Sequence, residues 1–271
     1  MSNTATQSIP AAASSTSDTL FDAHFHIIDP RFPLASGQDY SPPTFTAHDY
    51  HRRVAPLGIA GGAVVSGSFQ GFDQRYLCDA LDRLGAGYVG VTQLPPEVSD
   101  EEIRALNQRG VRAVRFNLRR GGSAGLEVLE EMALRVHALA GWHVELYADA
   151  RELSAHLPVL KRLPQLVIDH LGLSREGLPT LCTLVEHGAK VKASGFGRVS
   201  LDVPQALATI ADIAPSALMF GSDLPSTRAP RPFNTQDITL IHNTLGERNA
   251  RLALHDNAVA LYRPHRLPPV A

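Results

Sequence analysis

The sequence predicts an α/β fold, a (β/α)8 TIM barrel forming a single domain, on three observations. Short apolar segments alternate with helical patterns from Asp22 onward, eight such segments can be counted, and polar residues gather at their C-terminal ends. Nearly continuous apolar strands separated by helices imply a parallel sheet covered on both faces. Eight repeats in a chain of 271 residues imply closure into a barrel rather than an open sheet. The barrel is assigned to residues 19–271. Residues 1–18 are rich in Ser, Thr and Ala, with no Lys or Arg and no apolar core. They read as a disordered lead-in, neither a secretory signal nor an Arg-rich transit peptide.

The first strand is Asp22-Ala23-His24-Phe25-His26 and its neighbours. Simple alternation puts His24, His26 and Asp22 on one face and Ala23, Phe25 and Ile27 on the other. A buried strand is cheapest with Val or Ile, so two imidazoles need partners: backbone carbonyls, a metal, or protons to handle. A Pro-rich crossing from Asp29 to Pro43 follows, ending in Tyr40-Ser41-Pro42-Pro43; aperiodic loops of that length usually carry function. A helix opens near Thr46 and ends near Gly58. Gly61 to Ser66 is a buried strand, and Asp73 to Leu84 is a helix with Tyr76, Leu77, Ala80, Leu81 and Leu84 on its apolar face.

The alternation continues through strand Tyr88–Thr92 and a helix opened by Ser99 with Glu102, a capping-box pattern, and stopped at Gly110. Strand Val111–Phe116 precedes helix Leu126–Leu139, which Gly141 closes. Then come strand His143–Tyr147, helix Arg151–Leu163 with Pro158 inside it, strand Leu166–Asp169, helix Gly177–His187, strand Ala189–Ala193, helix Pro204–Ile213 and strand Leu218–Gly221. Helices at Thr235–Thr244 and Asn249–Tyr262 finish the chain. Gly85-Ala86-Gly87-Tyr88-Val89-Gly90 matches G-x-G-x-x-G, but these glycines lead from a helix into a strand, the wrong context for a dinucleotide turn.

Composition narrows the partners. A net charge of −2 and a pI near 6.6 give no electrostatic footprint for nucleic acid, and no basic amphipathic run suggests a membrane surface. No apolar run approaches the ~20 residues of a membrane span. Cys78 and Cys182 form no C-x-x-C pair, which fits a reducing cytoplasm. Small soluble ligands are the expected partners.

Barrels of this kind carry their chemistry where strands end. Those ends hold His24 and His26, Ser66-Gly67-Ser68, Arg115 followed by Asn117, Arg119 and Arg120, Tyr147, Asp169-His170, Lys192 with Ser194 and Arg198, and Ser222-Asp223. Each has a structural reading of its own: a turn cap for Asp169 or Asp223, an ion pair for Arg115, a loop carbonyl for His170. All of these would have to hold at once. His48, His51, His137, His143, His156, His187, His242, His255 and His265 fall at strand starts, in helices or in tails and are assigned no chemistry.

Asp22-Ala23-His24-Phe25-His26, Asp169-His170-Leu171-Gly172 and Gly221-Ser222-Asp223-Leu224-Pro225 together resemble the amidohydrolase superfamily (amidohydrolase-related family 2). The likeness is to its branch of lactone hydrolases typified by 2-pyrone-4,6-dicarboxylate lactonase, and it spans roughly Leu20 to Tyr262. The superfamily's metal site takes histidines from strands one, five and six and an Asp from strand eight. Here strand five ends in Glu145-Leu146-Tyr147, and strand four offers no lysine to bridge two ions. The lactonase branch shows the same loss, which implies a metal-free enzyme with no cofactor; a single Zn held by His24, His26 and Asp223, with His170 nearby, remains chemically possible.

The resemblance further implies that Arg115, Arg120 and Arg198 hold substrate carboxylates and that Tyr40, Ser68 and Tyr147 make the other polar contacts. An arginine fork grips a carboxylate through two parallel charge-assisted bonds, so several arginines at one mouth imply an anionic substrate. The loop between Arg115 and Arg120 is one residue shorter than the branch pattern, and Leu224 and Ser226 replace an expected Trp and His. The expected reaction is water attack on a lactone carbonyl, with Asp223 as general base and His24, His26 and His170 donating to the carbonyl oxygen. Two rivals are a zinc-dependent decarboxylase or hydrolase of the same superfamily, exposed by carbon dioxide release, and a catalytically silent anion-binding barrel, exposed by binding without turnover. A serine hydrolase is disfavoured because no G-x-S-x-G elbow occurs.

Overall fold

The computed structural model describes residues 19–35 and 40–265, so the disordered lead-in expected at residues 1–18 lies outside the described residues. Strands β1 (Leu20–Phe25), β2 (Ile59–Val65), β3 (Tyr88–Thr92), β4 (Val111–Asn117), β5 (His143–Tyr147), β6 (Leu166–Ile168), β7 (Lys190–Ala193) and β8 (Leu218–Phe220) lie side by side in chain order. Every adjacent pair is parallel. The seam between β8 and β1 is closed just beyond β8. Asp223 N–H donates to the His24 carbonyl and His26 N–H to the Leu224 carbonyl, each at 2.7 Å. Asp22 adds a clamp, accepting from the Ser222 N–H at 2.8 Å and from its hydroxyl at 2.6 Å. The eight-stranded barrel predicted from the alternation is therefore the observed fold.

The strands are crossed by α1 (Ala47–Val54), α2 (Arg75–Leu84), α3 (Asp100–Gln108), α4 (Leu129–Ala140), α5 (Leu157–Leu160), α6 (Leu178–Glu186), α7 (Val203–Ile213), α8 (Gln236–Arg251) and α9 (Asn257–Tyr262). Three readings need correction. The helix expected over Arg151–Leu163 shrinks to a short turn at Ser154–His156 and α5, because Pro158 has no N–H to donate and is accommodated only in a helix's first turn. At α3 only half of the capping box forms, the Ser99 hydroxyl accepting from Glu102 N–H at 3.1 Å. The full box is at α1, where Thr46 and Asp49 exchange both bonds. Helix α8 is kinked within its length at Gly246, whose φ of 70° breaks the helical path.

The third correction concerns the site. Asp22 pairs with Gly62 while Phe25 pairs with Val64, so three steps on β1 answer two on β2. This bulge breaks the simple alternation. Phe21 and Ala23 join Ala63, Val65, Val89, Val91, Ala113, Val167 and Met219 inside the barrel, plugged from below by Tyr262 of α9. Asp22 is turned toward α1, accepting from Tyr50 Oη at 3.1 Å, and does not share a face with His24. The bulge leaves His24 and His26 at the top of the barrel.

Candidate active site

Four side chains converge where the strands end. His24 lies in β1 and His26 directly after it, His170 follows β6 and Asp223 follows β8, and all four are buried. His170 and Asp223 hold φ values of 51° and 58°, the left-handed region, where a non-glycine residue costs on the order of 1–3 kcal/mol and persists only when its surroundings enforce it. Gly221 makes the approach possible, since a Cβ there would lie 2.6 Å from His24 Cβ.

Asp223 is held by one oxygen. Oδ2 accepts from Arg198 Nε at 2.9 Å and from Nη2, and Arg198 Nη2 also donates to the Thr227 carbonyl. Oδ1 has no hydrogen-bond partner. Around it stand His24 Nε2 at 3.8 Å, His26 Nε2 at 3.7 Å and His170 Nε2 at 3.8 Å. His24 Nε2 is likewise buried without a partner. Two orphaned polar atoms facing each other mark a place built for a guest.

Burial would raise the Asp223 carboxyl, but the His170 imidazole and the Arg198 guanidinium outweigh it and hold the group well below the usual carboxylate range. Desolvation in turn pushes His170 far below its usual range, so at neutral pH the lasting positive charge beside Asp223 is Arg198. His24 is pushed down to about 3, first by burial and then by the charge of Lys192. The floor therefore presents an ionised carboxylate and neutral rings at His24 and His170.

Hydrogen bonding sets one tautomer outright. His26 Nδ1 lies 2.7 Å from the Val65 carbonyl, which can only accept. Nδ1 carries the proton, and neutral His26 shows a lone pair at Nε2. The expected donation from His26 to a carbonyl oxygen is thus confined to its protonated form. His170 Nδ1 faces Ser194 Oγ at 2.9 Å, a hydroxyl that can serve either way.

The cleft above is lined by Ser68, Arg115, Arg120, Tyr147, Arg198 and Arg228 around His26, His170 and Asp223. The arginines divide into two kinds. Arg115 is buried, its Nε and Nη2 on Asp169 Oδ2 at 2.9 and 2.8 Å and its Nη1 on the Ser66 carbonyl at 2.9 Å. Arg198 is spent on Asp223, with Nη1 3.5 Å from Tyr147 Oη. Arg120 and Arg228 line the cleft with no carboxylate partner among the described residues. Arg228 lies 4.0 Å over the ring of Tyr40, which places Tyr40 at the rim beneath a guanidinium rather than on the floor.

A family model described as amidohydrolase matches residues 21–263. The chain belongs to the amidohydrolase family. A 2-pyrone-4,6-dicarboxylate hydrolase of Comamonas testosteroni is 34% identical over 156 residues, 56% of this chain and 51% of that protein, so this match spans about half of the relative. A 4-sulfomuconolactone hydrolase of Hydrogenophaga intermedia is 26% identical over 269 residues, covering 89% of this chain and 88% of that one. The solved structure of a candidate 2-pyrone-4,6-dicarboxylic acid hydrolase from Pseudomonas putida superimposes with a TM-score of 0.79 at 27% identity, covering 91% and 98% of the two chains. A similar protein from Acinetobacter baumannii, solved with citric acid bound, reaches 0.80 at 21% identity over 90% and 99%, a likeness of fold alone.

Metal donors in this amidohydrolase fit one ion. His24, His170 and Asp223 bring one ligand atom each within 4.8 Å of one another, and His26 Nε2 adds a lone pair close by. At the ends of β4 and β5 the chain offers Arg115 and Tyr147, neither of them a ligand for a second ion on the floor. A single divalent ion bound there would act as a Lewis acid on a carbonyl oxygen.

Beneath the floor lies a layer that sequence reading did not assemble. Lys192 Nζ donates to Glu145 Oε2 and stands 3.5 Å from Asp169 Oδ1. Glu145 Oε1 accepts from Tyr262 Oη at 2.5 Å and faces His143 Nε2 at 3.1 Å. His143, assigned no chemistry, belongs to this layer. The available signal was parity: His143 and Glu145, like Arg115 and Lys192, occupy inward positions where an apolar strand would be cheaper. No helix among the described residues is long and apolar enough to cross a membrane.

Proposed function

We propose that this amidohydrolase opens the ring of a small anionic lactone by adding water to its ester carbonyl. Asp223 Oδ1 carries the reading: a buried, ionised oxygen with no hydrogen-bond partner, ringed by three imidazole nitrogens on a cleft floor. The relatives' names, 2-pyrone-4,6-dicarboxylate hydrolase and 4-sulfomuconolactone hydrolase, both describe lactones bearing anionic groups.

In this mechanism a water molecule sits against Asp223 Oδ1 and the lone pair of His26. Its oxygen attacks the ring carbonyl carbon while Asp223 takes its proton. Charge developing on the carbonyl oxygen is met by N–H donors on the opposite rings, His24 and His170; a positioned donor of this kind is typically worth 10²- to 10³-fold in rate. Collapse of the tetrahedral intermediate breaks the ring C–O bond, and the proton on Asp223 passes to the leaving oxygen. A carboxylate held so far below its usual range is a weak base at rest. Arg198 keeps it ionised at every working pH, and its position against the water supplies what basicity lacks.

Arg120 and Arg228, whose guanidinia are uncommitted, are the natural clamps for the substrate's anionic groups. Arg115 and Arg198, expected to hold carboxylates, act here first as partners of Asp169 and Asp223, with only their remaining N–H groups turned to the cleft. Ser68 and Tyr147 line the cleft as polar contacts, and Tyr40 backs Arg228.

The test is a hydrolysis screen over pyrone dicarboxylates, muconolactones and sugar acid lactones, with and without chelator. Ring opening of an anionic lactone that survives chelation and disappears in Asp223→Asn is the expected result. Tight binding with no turnover across the panel would identify a silent anion-binding barrel, and carbon dioxide release would identify a decarboxylase. Activity lost with zinc and restored by it would replace the metal-free route.

A further inference from the structure

The layer under the floor contains groups that the hydrolytic reading leaves unused. His24, Glu145 and Asp169 bring one ligand atom each within 4.8 Å of one another, the spacing of a metal site. The chain fills this place itself. Lys192 Nζ donates to Glu145 Oε2 and lies 3.2 Å from His24 Nδ1 and 3.5 Å from Asp169 Oδ1, with all four side chains fully buried.

An ammonium has three donors and no lone pair. Its contact with His24 Nδ1 is a hydrogen bond only when Nδ1 is bare, which leaves the ring proton on Nε2. On the far side of the ring Nε2 then points its proton toward Asp223 Oδ1, 3.8 Å away. The rival partner for a proton on Nδ1 is Asp169 Oδ1 at 3.4 Å. Asp169 Oδ1 has no hydrogen-bond partner of its own, but Lys192 Nζ stands 3.5 Å from it and its other oxygen takes two bonds from Arg115, so the shorter Lys192–His24 contact at 3.2 Å decides the tautomer.

We infer that Lys192 is a built-in cation that fixes His24 as its Nε2–H tautomer and so makes His24 a hydrogen-bond donor on the cleft floor. Lys192 reaches no reacting atom and is a positioning residue. Taken with the hydrolytic reading, on which its catalytic meaning rests, the inference gives neighbouring rings at the end of one strand opposite tasks. His24 donates to the carbonyl oxygen, and His26, held the other way by Val65, accepts from water. An Nε2–H cannot also coordinate, so the same lysine biases His24 against serving as a metal ligand. Without Lys192, a proton on Nδ1 would turn to Asp169 and the bare Nε2 would face the floor.

The test is a two-bond proton–nitrogen NMR correlation spectrum of the full chain labelled with ¹⁵N-histidine at neutral pH, with His24 assigned by its loss in His24→Gln. The wild-type ring is expected as Nε2–H. Lys192→Met is expected to convert it to Nδ1–H and to lower kcat by on the order of 10²-fold with little change in KM. Lys192→Arg, which keeps a buried donor, is expected to retain Nε2–H. Because loss of a lone buried cation can prevent folding, the spectrum is also recorded for Lys192→Met combined with Glu145→Gln, which removes the charge pair together. An Nδ1–H ring in the wild type, or an Nε2–H ring that persists once the lysine is gone, overturns the inference. The spectrum needs no substrate: Nε2–H in a protein that opens no lactone would sink the hydrolytic reading and leave the tautomer assignment standing.

Discussion

The cleft floor and the layer beneath it are built from the same residue types and treat them oppositely. In the layer, Lys192, Glu145, Arg115 and Asp169 form a balanced set of two cations and two anions, with His143 and Tyr262 both on Glu145 Oε1. Asp169 Oδ1 in the layer lacks a hydrogen bond but lies 3.5 Å from the Lys192 ammonium, whereas on the floor Asp223 Oδ1 and His24 Nε2 face each other with no partner. A buried charge is tolerated when it is paired and hydrogen-bonded, and an orphaned polar atom costs about 1–3 kcal/mol. The layer is therefore scaffolding, and the floor carries an unpaid cost that a bound molecule relieves. His24 belongs to both, its Nδ1 in the layer and its Nε2 on the floor.

The sharpest way to break the contrast is Asp223→Asn. It keeps the shape and one acceptor for Arg198 but removes the base, and it is expected to lower kcat by up to about 10⁴-fold while leaving binding of an anionic product nearly unchanged. Steady-state kinetics and calorimetric titration separate the two effects; normal turnover would move the base elsewhere. The layer should respond in the opposite sense. Arg115→Met leaves Asp169 buried beside a single remaining cation and is expected to cost about 3–5 kcal/mol in urea-monitored stability.

How much of this was legible in the sequence follows the same division. The barrel could be read because each strand is apolar and each helix amphipathic, signals local to a few residues. His24, His26, His170 and Asp223 could be found because barrel chemistry gathers at strand ends, although the bulge that separates Asp22 from His24 could not be read, since register depends on the neighbouring strand. Partnerships were hidden. Arg115 and Arg198 look like substrate clamps in a linear sequence, and only the fold reveals Asp169 and Asp223 beside them. Arg228 passed unnoticed because it follows β8 in an irregular loop with φ of 58°. Lys192 was visible as a strand-end residue, but its contacts with Glu145 and His24 join positions 47 and 168 residues apart.

A third prediction uses the seam. Burial raises Asp22 to about 6, despite hydrogen bonds from Ser222, His24 and Tyr50 that favour its charged form. Its folded pKa lies above the unfolded value near 3.9, so the native state binds the extra proton in that interval. Stability contributed by protonated Asp22 is fully present below about pH 4 and is lost as pH rises to about 6. The wild type should decline relative to Asp22→Asn across that window, by no more than about 3 kcal/mol. Parallel denaturation curves at pH 4, 5, 6 and 7 check the sign; a difference that is flat with pH would mean that Asp22 stays charged in the fold.

The smallest expected effect separates the committed arginines from the free ones. Arg228 has no carboxylate partner among the described residues and rests on Tyr40, so Arg228→Gln removes a contact made equally in ground and transition states. KM for an anionic lactone should rise by about 10- to 100-fold with kcat unchanged, the value of one charge-assisted hydrogen bond. Arg198→Gln touches the same cleft but strips Asp223 of its fixed cation, and it should lower kcat instead. A KM effect confined to Arg198, with Arg228→Gln silent, would return the substrate's anionic groups to the arginines beneath the cleft and make Arg228 a feature of the rim.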